Sequence, residues 1–574
     1  MIILATVIVY GHTLDVPFYL DDYSSIVDNP AINDQGSIAK LWSYAPLRVV
    51  GYSTFLLNFQ LNHFQPTWYH IVNILIHILA GLSLFVLSRV IMKTPAVKGK
   101  TSSRITIWLP LCAALLFVIH PMQTQAVTYV VQRLASLVAL WYMASLACYI
   151  YARLGLDGSR KIILFAASFV FALLAFFTKQ NSFTLPLFLV VTELIFFPAS
   201  RVRTLRNLLI ASGIGLLLWG VLVFVAGFDF LSLAVLDAKT KETRNITRPE
   251  YFLTQLQVLW TYIRMFFWPV GLHLDHDIAL VRSLNGSTMF ALFAHLAVLV
   301  GGLFLCRRSP LLAFGIFFFY ISSLVESALI PIRDLMFEHR TYLPNAGLCI
   351  ITCFLLLALP LKQKIGNVLL VCILLVMAVF TWQRNNVWRD PLALWHDSAI
   401  HAPYLARPWN EYAKHLIERG QHEEAIAVFQ QTMKRIPGNG LTPGSYLEET
   451  AAVNFMMVLA REGETELSLQ VADDFLQRKV RPLNKSKMLA NKGNLYFQTR
   501  QLAKAEASYK QAIAVYPKNI PPMNNLGTLY IRQGRLNEAE ELFRRALTID
   551  PTFQTGRKQL QNIALMKKKR DQAR

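Results

Sequence analysis

Two adjacent carboxylates, Asp21 and Asp22, follow the first apolar stretch of the chain, where it must meet water. Carrying an acid into bilayer hydrocarbon costs roughly 3 kcal/mol, so acids at such a rim are functional candidates. There a carboxylate can reach both an aqueous hydroxyl and a lipid-borne reactant, which suits it to general-base work. The plainer alternative is that Asp22 caps a short helix beginning at Tyr23. Candidates to receive a departing anion come later: Arg133, Lys179, Arg264 and Arg340, with His120 and His339 as hydrogen-bond donors. Preorganised cations stabilise developing negative charge best where water is excluded. Singly, Arg133 and Lys179 are also what snorkelling at helix ends produces. Arg340 stands in a dense polar run with Glu326, Arg333, Asp334, Glu338 and His339. His273, Asp275, His276 and Asp277 could hold a divalent cation, although an exposed polar loop has the same composition.

The elements that must position these residues are apolar. Of 574 residues 54% are hydrophobic and only 16% charged, which is the composition of a polytopic membrane protein. The net charge of +21 does not indicate nucleic acid, because much of it lies in short loops between apolar stretches, where it sets topology. Anionic lipid headgroups or a phosphate-bearing lipid are better partners. All six cysteines fall in apolar segments, so no disulfide framework or metal spacing is expected. Residues 1–11 are apolar but short of the roughly 20 needed to span, and read as a truncated start or a span completed by Thr13 to Phe18. Further stretches lie at 67–91, 105–120, 126–152, 162–178, 181–198, 207–228, 287–306, 309–325, 343–360 and 365–382. Tyr251 to Val270 carries Gln255, Gln257 and Arg264 and suits an interfacial helix. Placing the N-terminus in the cytoplasm and keeping 251–270 out of the count puts every short basic loop inside, giving about eleven spans. Asp21, Asp22, His120, Lys179, residues 273–277 and residues 326–344 then share the extracytoplasmic side. His70 and His77, seven apart on one helix, read as structural. The sequons at Asn245 and Asn285 read as coincidence.

From about Arg384 the composition turns to charged amphipathic helices. Segments 492–517 and 526–551 align at an offset of 34, the tetratricopeptide period. Gly493, Tyr496, Ala505, Tyr509 and Pro517 match Gly527, Tyr530, Ala539, Phe543 and Pro551. An earlier unit uses Ala413, Gly420, Ala425, Phe429 and Pro437, and a degenerate one falls near 454–475. Stacked helix pairs usually present a concave surface to a peptide or protein. The division is 1–382 for the membrane domain and 383–574 for an extracytoplasmic repeat domain. The basic last helix, from Lys567 to Arg570, reads as a solvated cap.

The ordered set Leu20-Asp21-Asp22, Trp68 to Asn73, His77, His120 to Val127, Arg133, Thr178-Lys179-Gln180 and Glu338 to Pro344, with the repeats, resembles the transmembrane-and-tetratricopeptide O-mannosyltransferases, in their bacterial branch. The resemblance covers nearly the whole chain. It implies an all-α fold: a polytopic GT-C-like transferase domain followed by a TPR α-solenoid. It also implies a polyprenyl-phosphate-linked sugar as donor, hydroxyls of exported proteins as acceptor, membrane lipids as surroundings and no nucleic acid. Asp21 would be the base, with Asp22 orienting it or sharing a metal. Arg133, Lys179, Arg264, Arg340, His120, His339 and Glu338 would bind the donor phosphate and substrate. The implied location is a bacterial inner membrane, with no cofactor beyond a divalent ion. Gln125 and Gln180 stand where animal members usually have Glu, so any acid role at those two points is absent from this chain. A single displacement would invert the anomeric centre, by analogy with inverting glycosidases. The residues leave two alternatives open: a transferase acting on envelope glycan or lipid, or a non-enzymatic TPR scaffold. A transporter would instead place ionisable residues mid-span.

Overall fold

The computed structural model describes residues 1–33, 36–155, 158–197, 246–332, 334–435, 445–477 and 481–572, and among these every regular element is helical. The expected span at 207–228, Asn245, Arg333 and Pro437 lie outside the described residues. The chain forms two compact units, Met1–Asp397 and Ser398–Arg574. Positions 382 and 383 lie inside one unbroken helix, Gln363–Arg389. The composition changes there partway along a helix, and the units divide further on.

Six helices of the first unit are long and apolar enough to cross a membrane: Pro66–Ile91, Val130–Arg153, Ser159–Phe176, Gly286–Arg308, Pro310–Ala328 and Gln363–Arg389. A bent pair, Ser103–Val118 with Pro121–Thr128, makes seven if counted as one span. The stretches expected at 181–198 and 343–360 form apolar helices of fewer than 18 residues, Gln180–Phe196 and Pro344–Ala358, as does Ile2–Thr13. By length and composition the described residues therefore give six or seven spans of 18 residues or more, alongside these shorter apolar helices and with 207–228 outside the described residues. Apolar stretches end early wherever proline and polar residues break the helix. Arg248–Phe267 is not among the six.

Two local breaks position the candidate site. The first is at His120-Pro121, where the paired helices bend by 54°. Proline has no N–H to continue the ladder and pushes its predecessor out of the helical region; His120 is accordingly extended, at φ −79° and ψ 128°. The second is the polar stretch between helices Pro310–Leu324 and Pro344–Ala358. Those helices cross closely because Gly315 and Gly347 face each other: a Cβ on either would lie within 2.7 Å of the other's carbonyl oxygen. Small residues of this kind let helix backbones approach in a membrane, and the crossing fixes both ends of the stretch.

The second unit is built of helix pairs. Pro482–Gln498 with Leu502–Val515, and Ile520–Arg532 with Leu536–Ile549, are the two repeats that align at 34. Their small and aromatic residues meet as the pattern expects: a Cβ on Gly493 would lie 2.6 Å from the Tyr509 ring, and one on Gly527 2.8 Å from Phe543. Ala406–Glu418 pairs with His422–Arg435, and Ser445–Arg461 precedes Thr465–Leu476. Helix Gln554–Gln572 follows the last pair and packs on it through Ile563.

Candidate active site

The acid pair has two faces. Asp22 is buried, and Asp21 is exposed. Asp22 does not cap the short helix that follows it. Its Oδ2 accepts the Tyr19 N–H at 3.0 Å, and its Oδ1 accepts the Val131 N–H at 2.6 Å. Burial, with some help from Asp21, pushes its carboxyl up to about 8 against the pull of these amides. Between Tyr19 and Asp22 the backbone turns through Leu20 at φ 39°. A branched side chain in the left-handed region is strained by a few kcal/mol at most, and such strain persists only where its surroundings enforce it. Here the Tyr19 N–H bond to Asp22 closes the turn, and the Asp21 N–H donates to the Tyr129 hydroxyl at 2.8 Å. Tyr19 is in turn fixed by its own hydroxyl, which donates to the Trp388 carbonyl at 2.7 Å. The exposed Asp21 is thus carried on a locked backbone.

The cations divide into two kinds. Arg133 is fully buried, and four of its donor bonds end on protein: Nε on Asn73 (2.6 Å), Nη1 on Asn58 (2.7 Å) and Thr54 (3.1 Å), and Nη2 on the Tyr69 carbonyl (2.9 Å). It also lies over the Phe55 ring at 4.5 Å. Those bonds join helices Val49–Asn62, Pro66–Ile91 and Arg133–Arg153, which is the work of a structural crosslink. His120 is similar: Nε2 donates to the Phe266 carbonyl at 2.9 Å, Nδ1 accepts the Met122 N–H, and the ring stacks on Phe266. Arg264 is exposed on helix Arg248–Phe267.

Lys179 is different. It is buried in an ion pair with Glu326 at 2.8 Å, with Arg48 and Arg340 close enough for their charges to act on it. Burial pulls the ammonium below its ordinary value; Glu326 opposes this, and the two guanidiniums add to it. The Val50 N–H bond to the Phe177 carbonyl holds the Arg48 segment there, and Arg48 also donates to Gln180. Arg340 donates to the carbonyls of Asp334 and Leu335. Helix Arg248–Phe267 braces the stretch: Tyr251 donates to the Glu326 carbonyl, Gln255 to that of Leu335 at 2.7 Å, and Tyr262 to that of Phe337 at 2.9 Å. His339 is buried beside Lys179 and Arg340 and held neutral, first by burial and then by those cations.

Glu338 is turned from the cations. Its Oε1 accepts the His273 N–H at 2.9 Å and faces His276 Nε2 at 3.2 Å, so it clasps the 268–285 loop. The His273 and His276 rings are tilted by 41° with centroids 3.9 Å apart, and Asp275 is buried while Asp277 is half-buried. Among the described residues no three His, Cys, Asp or Glu side chains are grouped to hold a metal ion, so no step is assigned to one.

Segment 120–133 ties the two groups together. Through Tyr129 and Val131 it holds Asp21 and Asp22; through Gln125 it holds His339, next to Arg340. It does so with an amide oxygen and a phenol oxygen that accept and a main-chain N–H that donates, none of which carries a charge signature in a sequence. Glu326, Arg48 and the bend at Leu20 are the further residues given no role by pattern. Glu326 alone had a signal, a lone acid closing an apolar stretch.

A tetratricopeptide repeat family model matches residues 484–552. Among curated proteins, the chain is 24% identical over 76% of its length to a protein O-mannosyl-transferase of Caenorhabditis elegans, covering 62% of that protein. It is 24% identical over 75% of its length to protein O-mannosyl-transferase Tmtc3 of Drosophila melanogaster, covering 54% of it. It is also 23% identical over 74% of its length to TMTC4 of Homo sapiens, covering 64%. The chain thus spans less than two thirds of each of these relatives.

Proposed function

The chain belongs with the transmembrane-and-tetratricopeptide O-mannosyltransferase-like proteins, and from that premise we propose that it is a membrane glycosyltransferase acting on protein hydroxyls. The donor is a polyprenyl-phosphate-linked sugar. Asp21 takes the proton of the acceptor hydroxyl as its oxygen attacks the anomeric carbon. The bond from that carbon to the carrier phosphate breaks in the same displacement, inverting the centre. Lys179 and Arg340, with Arg48 at their flank, receive the departing phosphate; Asp22 is a positioning residue for Asp21. Arg133 and His120 hold the frame, and Arg264, exposed on its helix, can meet a lipid phosphate on approach. Chemistry of this kind gains most from cations already in place before charge develops. The repeat unit recruits the exported acceptor on the extracytoplasmic face of a bacterial inner membrane.

The observation that carries the reading is the single segment, 120–133, gripping both the acid pair and the His339-Arg340 corner. A scaffold has no use for that arrangement. The test is sugar transfer from a synthetic polyprenyl-phosphate mannose to a serine- and threonine-rich peptide by the purified full-length protein. Asp21→Asn should lower transfer about a thousandfold while lipid-donor binding persists, the scale of losing one general base. An Asp21→Asn protein as active as wild type would end the proposal.

A further inference from the structure

Gln125 is buried on the short helix Thr124–Thr128, and its carboxamide makes bonds that leave no freedom in its orientation. Its NH2 group donates to the Leu274 carbonyl at 3.2 Å, and its oxygen accepts the His339 main-chain N–H at 2.8 Å. A carbonyl can only accept and an amide N–H can only donate, so the two main-chain partners fix which end of the carboxamide is oxygen. That same oxygen lies 3.1 Å from His339 Nδ1. Oxygen has no proton to give, so Nδ1 must carry one, and the proton on one ring nitrogen dictates the state of the other. The ring is also fixed in plane by stacking on Phe337, centroids 5.2 Å apart.

We infer that Gln125 is a positioning residue that locks His339 as the Nδ1–H tautomer, leaving Nε2 as a hydrogen-bond acceptor for a hydroxyl of the transferred sugar. No hydrogen bond from a described residue reaches Nε2. The assignment reverses the donor role that residue type alone suggests, because a neutral Nε2 lone pair repels a phosphate and welcomes a hydroxyl. The phosphate is left to Lys179 and Arg340. The charged groups acting on the ring are those same two cations. Glu338 is occupied with His273 and His276, and Glu326 with Lys179. Residues 121–128, packed against it, bring no charge, and His120 bonds elsewhere. A glutamate at 125 would change this: its carboxylate would draw a second proton onto the ring and convert the acceptor into a cation. The tautomer follows from the geometry alone, whereas its use on a sugar rests on the transfer reading above.

The experiment therefore has two readouts on the full-length protein in lipid nanodiscs. The first is 15N magic-angle-spinning NMR of histidine-labelled protein at neutral pH, with His339 assigned by difference from His339→Gln. A protonated Nδ1 beside a bare Nε2 is expected, and Gln125→Met should give mixed tautomers. A protonated Nε2 in the wild type overturns the inference, and it does so whether or not the protein transfers sugar. The second is the pH profile of transfer. Gln125→Glu should lose about tenfold near neutral pH and recover as pH rises, its acid limb displaced upward by about one unit or more. An unchanged profile overturns the sugar-contact role. Absence of transfer in the wild type would instead strike the functional reading and leave the tautomer seen by NMR untouched.

Discussion

Arg153–Glu193 and Lys179–Glu326 are ion pairs that each take a carboxylate out of water, and they are built on opposite terms. Glu193 receives Arg153 twice, through Nε at 3.2 Å and Nη2 at 2.5 Å, and the Tyr149 hydroxyl at 3.0 Å. The guanidinium also lies over Phe197 at 4.9 Å. One acid meets one base there, with a hydroxyl to spare. Lys179 meets Glu326 alone, at 2.8 Å, and the charges of Arg48 and Arg340 act on it as well, so that two carboxylates, Glu326 and the Asp334 that also acts on Arg340, stand among three cations. Arg153 closes the helix that Arg133 opens, a rise of roughly 30 Å at 1.5 Å per residue. A balanced pair stabilises a fold only weakly relative to an apolar replacement, but losing one partner is expensive. An excess of buried cation makes sense where an anion visits. Burial marks both sites, and charge balance separates them.

The widest separation should come from neutralising each pair. Lys179→Met and Arg340→Met should each lower sugar transfer about a hundredfold, the scale of losing one preorganised charge contact, with modest change in melting. Glu193→Gln should do the reverse. It strips half-buried Arg153 of its carboxylate, costing about 3 kcal/mol, and transfer measured well below the melting point should stay near wild type. Thermal melts and initial rates on the same preparations decide this. If Glu193→Gln loses transfer while staying folded, charge balance is not what distinguishes the two sites.

Asp22 sharpens the comparison as a buried acid with no cation bonded to it. Its folded value near 8 lies above the ordinary value of 3.8, so the folded state keeps a proton that the unfolded chain gives up. The stability this contributes is complete below about pH 4 and drains away as pH rises toward 8. Asp22→Asn removes the titration, and because an amide offers one acceptor where Tyr19 and Val131 need two, it should also cost about tenfold in transfer. Melting temperatures from pH 5 to pH 8 should fall for wild type relative to Asp22→Asn. Parallel curves would show the carboxyl to be ionised throughout.

How legible these features are in the sequence depends on the kind of force involved. The repeats can be read because their packing is local and periodic: Gly493 and Gly527 sit beneath Tyr509 and Phe543 at the offset that pattern requires. Apolar stretches are legible too, and Gln180–Phe196 and Pro344–Ala358 form helices where hydropathy places them, each of fewer than 18 residues. Hydropathy registers composition and is blind to where proline ends a helix. Asp21, Lys179 and Arg340 announce themselves as charges near apolar ends. Arg133 looks the same in sequence and yet crosslinks helices, because a sequence cannot say whether a cation's donors are already used. Gln125, Tyr129 and the Val131 N–H are invisible as site elements. Their partners, Leu274, His339, Asp21 and Asp22, lie about a hundred residues or more away, and neutral hydrogen bonds leave no periodic trace.

The smallest effect should come from a third pair whose geometry rivals the other two. Arg389 reaches Asp15 through both Nε, at 3.3 Å, and Nη2, at 2.9 Å, across 374 residues of sequence. Its side chains are 45% and 64% exposed, so water and salt already solvate both charges whether or not they touch. Screening at physiological ionic strength weakens such contacts further, and the two long side chains lose rotamer freedom in making one. Asp15→Asn should therefore leave the melting temperature and transfer rate unchanged within error, at low and at high salt alike. A drop comparable to that of Glu193→Gln would mean that these pairs stabilise by tying distant segments together. Burial and charge balance would then be the wrong variables for telling a structural pair from a functional one.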